Sequence, residues 1–279
     1  MALIEVNMMS QKLLRPVTFT AIIPADKWTE EGNIKEQTFK TLYLLHGGFG
    51  NHLDYITGTR IARWAEDNNL AVIMPAGENR FYVDKPEQGE YYGAFVAEEL
   101  VDVTRRMFPL SRKREDTFIA GLSMGGYGAL VNGLKYHERF SWIGAFSPAL
   151  LNEIILLGEA ENNIIELWKP GFYEHALGSL DTLLNSDKDY YYLMSQLIKH
   201  EEKIPNIFMA IGTEDFLLEP TRKYYQFLIE NEIPVTYKEE PGSHNWEYWD
   251  KILADFLEWL PLEELEVGFG SGHVISKTN

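Results

Sequence analysis

Residues 116–136 constrain the chain more than any other stretch. A β-rich run through Phe118, Ile119 and Ala120 climbs into Gly121-Leu122-Ser123-Met124-Gly125, and a small-residue helical run from Gly126 follows at once. A strand that turns sharply into a helix, with serine at the apex, has the form of a nucleophile elbow. The flanking glycines answer to crowding. Side chains two residues to either side of the serine would collide with the neighbouring strand and helix. The helix also points its positive end at the serine, which favours a developing anion there.

The surrounding pattern supplies the sheet that such a turn needs. Runs at 17–23, 41–45, 70–74, 116–120, 142–146, 206–211 and 235–239 are apolar or alternating and end in turn residues, so strands are predicted there. Helical spacing appears at 59–68, 95–108, 126–136, 221–231 and 246–260. Residues 78–92 are expected to form a polar and aromatic loop, and 28–37 a loop or hairpin connection. Strands alternating with helices imply a mostly parallel central sheet covered on both faces. The alternation lapses over 150–203, with expected loops at Lys169-Pro170-Gly171 and Asn185-Ser186-Asp187. The expectation is a single domain over 1–267 with a cap inserted at about 150–203, and a disordered glycine-rich tail at 268–279.

Ligands in sheets of this kind sit at the carboxyl ends of the strands. His46, Pro75, Ser123, Ser147, Asp215 and His244 all fall just after predicted strands, so one edge gathers them. A serine hydroxyl needs a base to take its proton, and the base needs an orienting carboxylate. In this architecture the order along the chain is nucleophile, acid, histidine. Ser123, Asp215 and His244 meet that order, with Glu214 the rival acid. His273 also follows the acid, but in a tail with no scaffold to fix it. The backbone N–H of Met124, next after the nucleophile, is one candidate oxyanion donor. Gly48, or else Phe49, in the turn after the 41–45 strand, is the other. Phe49, Arg80, Phe81 and Trp246 are candidates for lining the substrate pocket, although packing is the competing role for the cluster Trp246-Glu247-Tyr248-Trp249. For His46, beside the glycine turn, a packing or supporting role is expected.

Other chemistries are disfavoured. The chain has no cysteine, which removes disulfides, a thiol nucleophile and thiolate metal sites. No histidine pair has helical spacing with a nearby carboxylate, so no metal is expected. A net charge of −17 would repel nucleic acid and anionic membranes. Residues 1–15 carry Glu5 and no long apolar run, and no stretch approaches a membrane span. The expected location is the cytoplasm. The expected partner is a small-molecule ester, and a homo-oligomer is compatible with the sequence.

Five ordered motifs then carry a likeness. They are Leu45-His46-Gly47-Gly48, Met74-Pro75 through Arg80-Phe81-Tyr82, Gly121-Leu122-Ser123-Met124-Gly125-Gly126, Gly212-Thr213-Glu214-Asp215-Phe216 and Gly242-Ser243-His244-Asn245-Trp246-Glu247-Tyr248-Trp249. Across residues 17–260 the chain resembles the "putative esterase" family, which includes esterase D (S-formylglutathione hydrolase), tributyrin and feruloyl esterases and mycolyltransferases. The resemblance implies an α/β-hydrolase fold without cofactor. It also implies Ser123 as nucleophile, Asp215 as acid, His244 as base, and Gly48 with Met124 as oxyanion donors. A serine carboxylesterase acting on short acyl or small aryl esters is therefore expected. S-formylglutathione or cinnamoyl ester hydrolysis is the alternative on the same machinery, and a non-catalytic ligand-binding scaffold the alternative of another class.

Overall fold

The computed structural model describes residues 1–26, 38–152, 155 and 170–262. In chain order its strands are β1 (Ala2–Ser10), β2 (Arg15–Ile23), β3 (Lys40–Leu45), β4 (Leu70–Pro75), the two-residue β5 (Asp84–Lys85) and β6 (Glu90–Tyr91), β7 (Thr117–Leu122), β8 (Trp142–Phe146), β9 (Asn206–Gly212) and β10 (Val235–Glu240). Among the described residues eight of them make one sheet, ordered β1-β2-β4-β3-β7-β8-β9-β10, while β5 and β6 pair apart from it. The pairs from β4 through β10 are parallel, and β1–β2 and β2–β4 are antiparallel. This is an α/β-hydrolase fold.

The uninterrupted apolar runs of the central strands follow from cover on both faces. Successive residues go to opposite sides. In β3, Tyr43 and Leu45 enter one core and Leu42 and Leu44 the other; in β4, Ala71 and Ile73 oppose Val72 and Met74. Helices Leu100–Met107, Met124–Lys135, Tyr190–Lys199 and Leu218–Glu230 close the first core. Helices Ile61–Asp67 and Trp246–Trp259 close the second. Among the described residues no helix is long and apolar enough to cross a membrane.

Several elements differ from expectation. The chain starts in a strand, β1, where none is predicted, and it runs antiparallel along β2. The helix expected at 59–68 is found as Ile61–Asp67, and a separate short helix, Asp54–Gly58, precedes it where none is predicted. The helix expected at 95–108 starts earlier, at Tyr92–Ala94, and passes through a π-helical turn at Phe95–Glu99. That wide turn carries Glu99, whose carboxylate accepts hydrogen bonds from Ser10 Oγ (2.6 Å) and from the N–H groups of Gln11 (2.7 Å) and Lys12 (3.2 Å). The helix is thereby tied to the β1–β2 turn. Pro170 and Gly171 belong to a helix, Pro170–Leu177, not to a loop. A proline's missing N–H costs nothing in a first turn. The expected connection at 28–37 lies outside the described residues, and so do most of 153–169, the tail at 268–279 and His273.

Candidate active site

The carboxyl end of β7 delivers Ser123 with φ 54° and ψ −117°, a left-handed conformation that is costly for a residue with a Cβ. The turn is fixed from both sides. Ser123 N–H donates to Phe146 O (2.9 Å), while Ser123 O accepts from Tyr127 N–H and Ala149 N–H (3.0 Å each). Helix Met124–Lys135 then leaves at once. A Cβ on Gly125 would lie 2.1 Å from Leu45 O, so only glycine lets this helix start against the end of β3. The same closeness brings the turn after β3 beside the serine. A Cβ on Gly47 would meet the Leu122 side chain at 2.6 Å and Ser123 Cβ at 3.4 Å.

The turns after β9 and β10 bring the other two groups. His244 Nε2 lies 3.0 Å from Ser123 Oγ, and His244 Nδ1 lies 2.9 Å from Asp215 Oδ2. Asp215 Oδ1 accepts from Leu217 N–H at 2.9 Å, so the carboxylate, which is wholly buried, has both oxygens occupied. A carboxylate at Nδ1 holds the ring proton there and leaves Nε2 free to accept from the serine hydroxyl. Glu214, the rival acid, points elsewhere. Its carboxylate accepts from Thr213 Oγ1 and from Gly242 N–H, contacts that hold it below the usual carboxylate range. It braces the turn that carries the histidine.

The glycine turn is held by His46, which is buried. Its Nε2 accepts from Gly77 N–H (2.8 Å), so the proton sits on Nδ1 and is donated to Gly47 O (2.7 Å). Burial pushes its pKa down and keeps the ring neutral. Within that turn Phe49 N–H is engaged by Asn79 Oδ1 at 2.7 Å, whereas no partner for Gly48 N–H is found among the described residues. Met124 N–H heads the elbow helix and has no acceptor within it.

Of the four residues expected to line a pocket, Phe49 is 62% exposed and faces the Phe172 ring at 6.5 Å. Phe81 is buried, packed edge-on to Tyr127 and Phe172. Arg80 is drawn into ion pairs with Glu78 and Glu90 and donates to His175 O (3.1 Å). Trp246 packs on Tyr55, Gly58 and Trp249. The described part of the expected cap is tied down by cations at the carboxyl end of helix Pro170–Leu177. Lys85 Nζ donates to His175 O (2.7 Å) and Lys188 Nζ to Leu177 O (2.6 Å), a favourable place for positive charge.

Sequence reasoning missed two neighbours of the imidazole. The Phe216 ring lies 4.6 Å from it and is 41% exposed; the Trp249 ring lies 4.8 Å away, at 85°. Helical spacing marked Trp249 only as a packing residue. Backbone strain also collects on this edge, with positive φ at Phe49, Phe81, Tyr82, Ser123 and Ser147. Among the described residues no group of acidic or histidine side chains is arranged to hold a metal.

The sequence pattern of the family described as "Putative esterase" matches residues 10–260. The chain is 41% identical over 263 residues to an acetyl esterase of Caldicellulosiruptor saccharolyticus, covering 93% of this chain and 98% of that protein. Among solved structures it is similar to a fluorophosphonate-binding serine hydrolase of Staphylococcus aureus, FphF, with substrate bound (TM-score 0.81, 30% identity, 93% and 98% covered). It is also similar to an S-formylglutathione hydrolase (FrmB) of Staphylococcus aureus (TM-score 0.80, 29% identity, 93% and 98% covered).

Proposed function

Because the chain belongs to the "putative esterase" family, we propose that its carboxylic ester hydrolase activity runs on Ser123, His244 and Asp215. Ser123 Oγ attacks the ester carbonyl carbon while His244 Nε2 takes its proton. The imidazolium so formed is oriented and stabilised by Asp215. The carbonyl oxygen becomes an oxyanion that accepts from the N–H groups of Gly48 and Met124. The tetrahedral intermediate collapses, the C–O bond breaks, and His244 returns the proton to the leaving alcohol. Water repeats the sequence on the acyl-enzyme and releases the acid. The observation that carries this reading is the unbroken hydrogen-bonded line from Ser123 Oγ through the imidazole to Asp215.

The substrates are short acyl or small aryl esters, acetyl first, on the strength of the acetyl esterase relative. Hydrolysis of S-formylglutathione is the second reading, supported by the similarity to FrmB. The described residues of 150–203 form a cap on this reading, with Phe172 beside Phe49 and Phe81 supporting that role. The occupied Phe49 N–H supports Gly48 as the second donor. A chain without cysteine suits the reducing cytoplasm.

Ser123→Ala tests the reading. Hydrolysis of p-nitrophenyl acetate should vanish while the melting temperature stays, and labelling by a fluorophosphonate should be lost with it. Unchanged turnover would end the assignment. Initial rates on acetyl, butyryl, feruloyl and S-formylglutathione esters separate the substrate readings.

A further inference from the structure

The loop that follows β8 touches both halves of the proposed machinery. Its first residue, Ser147, is fully buried and sits at φ 43°, a left-handed conformation that glycine or asparagine would occupy at less cost. Ser147 N–H is fixed to Ala210 O of β9 (2.8 Å). Its hydroxyl accepts the indole N–H of Trp249 at 3.1 Å, in a buried bond spanning 102 residues of sequence. The Trp249 ring in turn stands nearly perpendicular to the His244 imidazole, with centroids 4.8 Å apart. The residues flanking Ser147 hold the nucleophile's backbone through Phe146 O and Ala149 N–H. One short loop thus grips the serine directly and reaches the histidine through a single indole.

We propose that Ser147 and Trp249 are a positioning pair: the hydroxyl fixes the rotation of the indole, and the indole wall fixes the imidazole on the line between Asp215 and Ser123. The physical argument concerns freedom. His244 hangs from a turn, and two hydrogen bonds define its axis but leave the ring able to tilt about it. Phe216, on one side, is 41% exposed and so less confined by packing than a buried ring. Trp249 is buried, and with its N–H bound it cannot slide along the helix axis. Misplacement by a fraction of an ångström at the proton-transfer step lowers turnover without weakening ester binding.

This inference rests on the esterase reading, and its test is kept separate from it. Turnover by the unaltered chain, and its loss in S123A, judge that reading; only variant-to-parent ratios judge this one. Ser147→Gly removes the hydroxyl, and the left-handed strain it relieves offsets part of the cost of leaving the buried indole N–H unpaired. Trp249→Phe keeps a ring and removes the donor. With p-nitrophenyl acetate each should lower kcat about tenfold with KM within about twofold. Because both remove one shared bond, the double variant should fall by less than the product of the two. A merely structural bond would lower the melting temperature and leave kcat alone. S147G with kcat within about twofold of the parent, or independent multiplicative losses in the double variant, would overturn the proposal.

Discussion

Replacing Gly125 by alanine should separate the two proposed oxyanion donors. The new Cβ would sit 2.1 Å from Leu45 O and 2.6 Å from both Leu45 C and His46 O, all backbone atoms with no rotamer to escape into. An ordinary carbon–oxygen contact is about 3.3 Å or longer, so helix Met124–Lys135 and the end of β3 must part by about 1 Å. Gly48 lies just beyond β3 and Met124 opens the helix, so that movement widens the space between their N–H groups. Overpacking of this kind costs about 1–3 kcal/mol. In a domain of this size that is a fall in melting temperature of roughly 2–6 °C. The catalytic loss should be larger, because misplacing one oxyanion donor costs about 10²–10³ in kcat. The assay is p-nitrophenyl acetate hydrolysis with kcat and KM resolved, alongside a thermal melt. Gly126→Ala is the internal control, because its Cβ would meet Pro148 Cα, Phe146 O and Gly121 O at 3.0–3.2 Å, contacts that yield with a small shift. A G125A enzyme with kcat within about threefold of the parent, or no more affected than G126A, would refute the reasoning.

Two further outcomes follow from the site. His46 is neutral in the fold and its pKa lies below the ordinary histidine value, so as pH drops below about 6.5 the unfolded chain takes up a proton that the folded chain refuses. Stability should therefore decline through that window, and His46→Gln should flatten the decline in melting temperature between pH 7 and pH 5; parallel curves for the two proteins would contradict this. Asp215→Asn should cut kcat by about 10³–10⁴ through the wrong imidazole tautomer, whereas Glu214→Gln, whose carboxylate faces Gly242 and Thr213, should stay within about threefold of the parent. Comparable losses in both would mean that the acid has been misassigned.

The central strands were legible because cover on both faces demands long apolar runs, and the order of nucleophile, acid and base was legible because each follows such a run. The first strand was not. In β1 the inward positions Ile4, Val6 and Met8 alternate with outward Leu3, Glu5, Asn7 and Met9, and the apolar Leu3 and Met9 on the outer side erase the period. An edge strand with one neighbour tolerates this where a central one would not. The π-helical turn was illegible for another reason. Its purpose lies in Glu99 reaching residues 10–12, a tertiary contact with no local signature. Sequence placed Trp249 on the buried face of its helix, which is correct as far as spacing can see. That this face also meets His244 and Ser147 depends on how β8 and β10 flank β9. For Arg80, a candidate for lining the pocket, sequence could not show that its charge is met by Glu78, Glu90 and a helix end.

The strand order has a bearing on how the protein comes into being. From β3 onward every new strand of the main sheet is laid in the same direction against one already made, β4 and β7 on either side of β3 and then β8, β9 and β10 in turn. A ribosome-bound chain, emerging amino end first, can extend that ladder as it is made. The hydroxyl at 123 appears early, whereas the imidazole that would activate it is 121 residues later, beyond the outermost strand. Ester cleavage in this arrangement waits for the last rung.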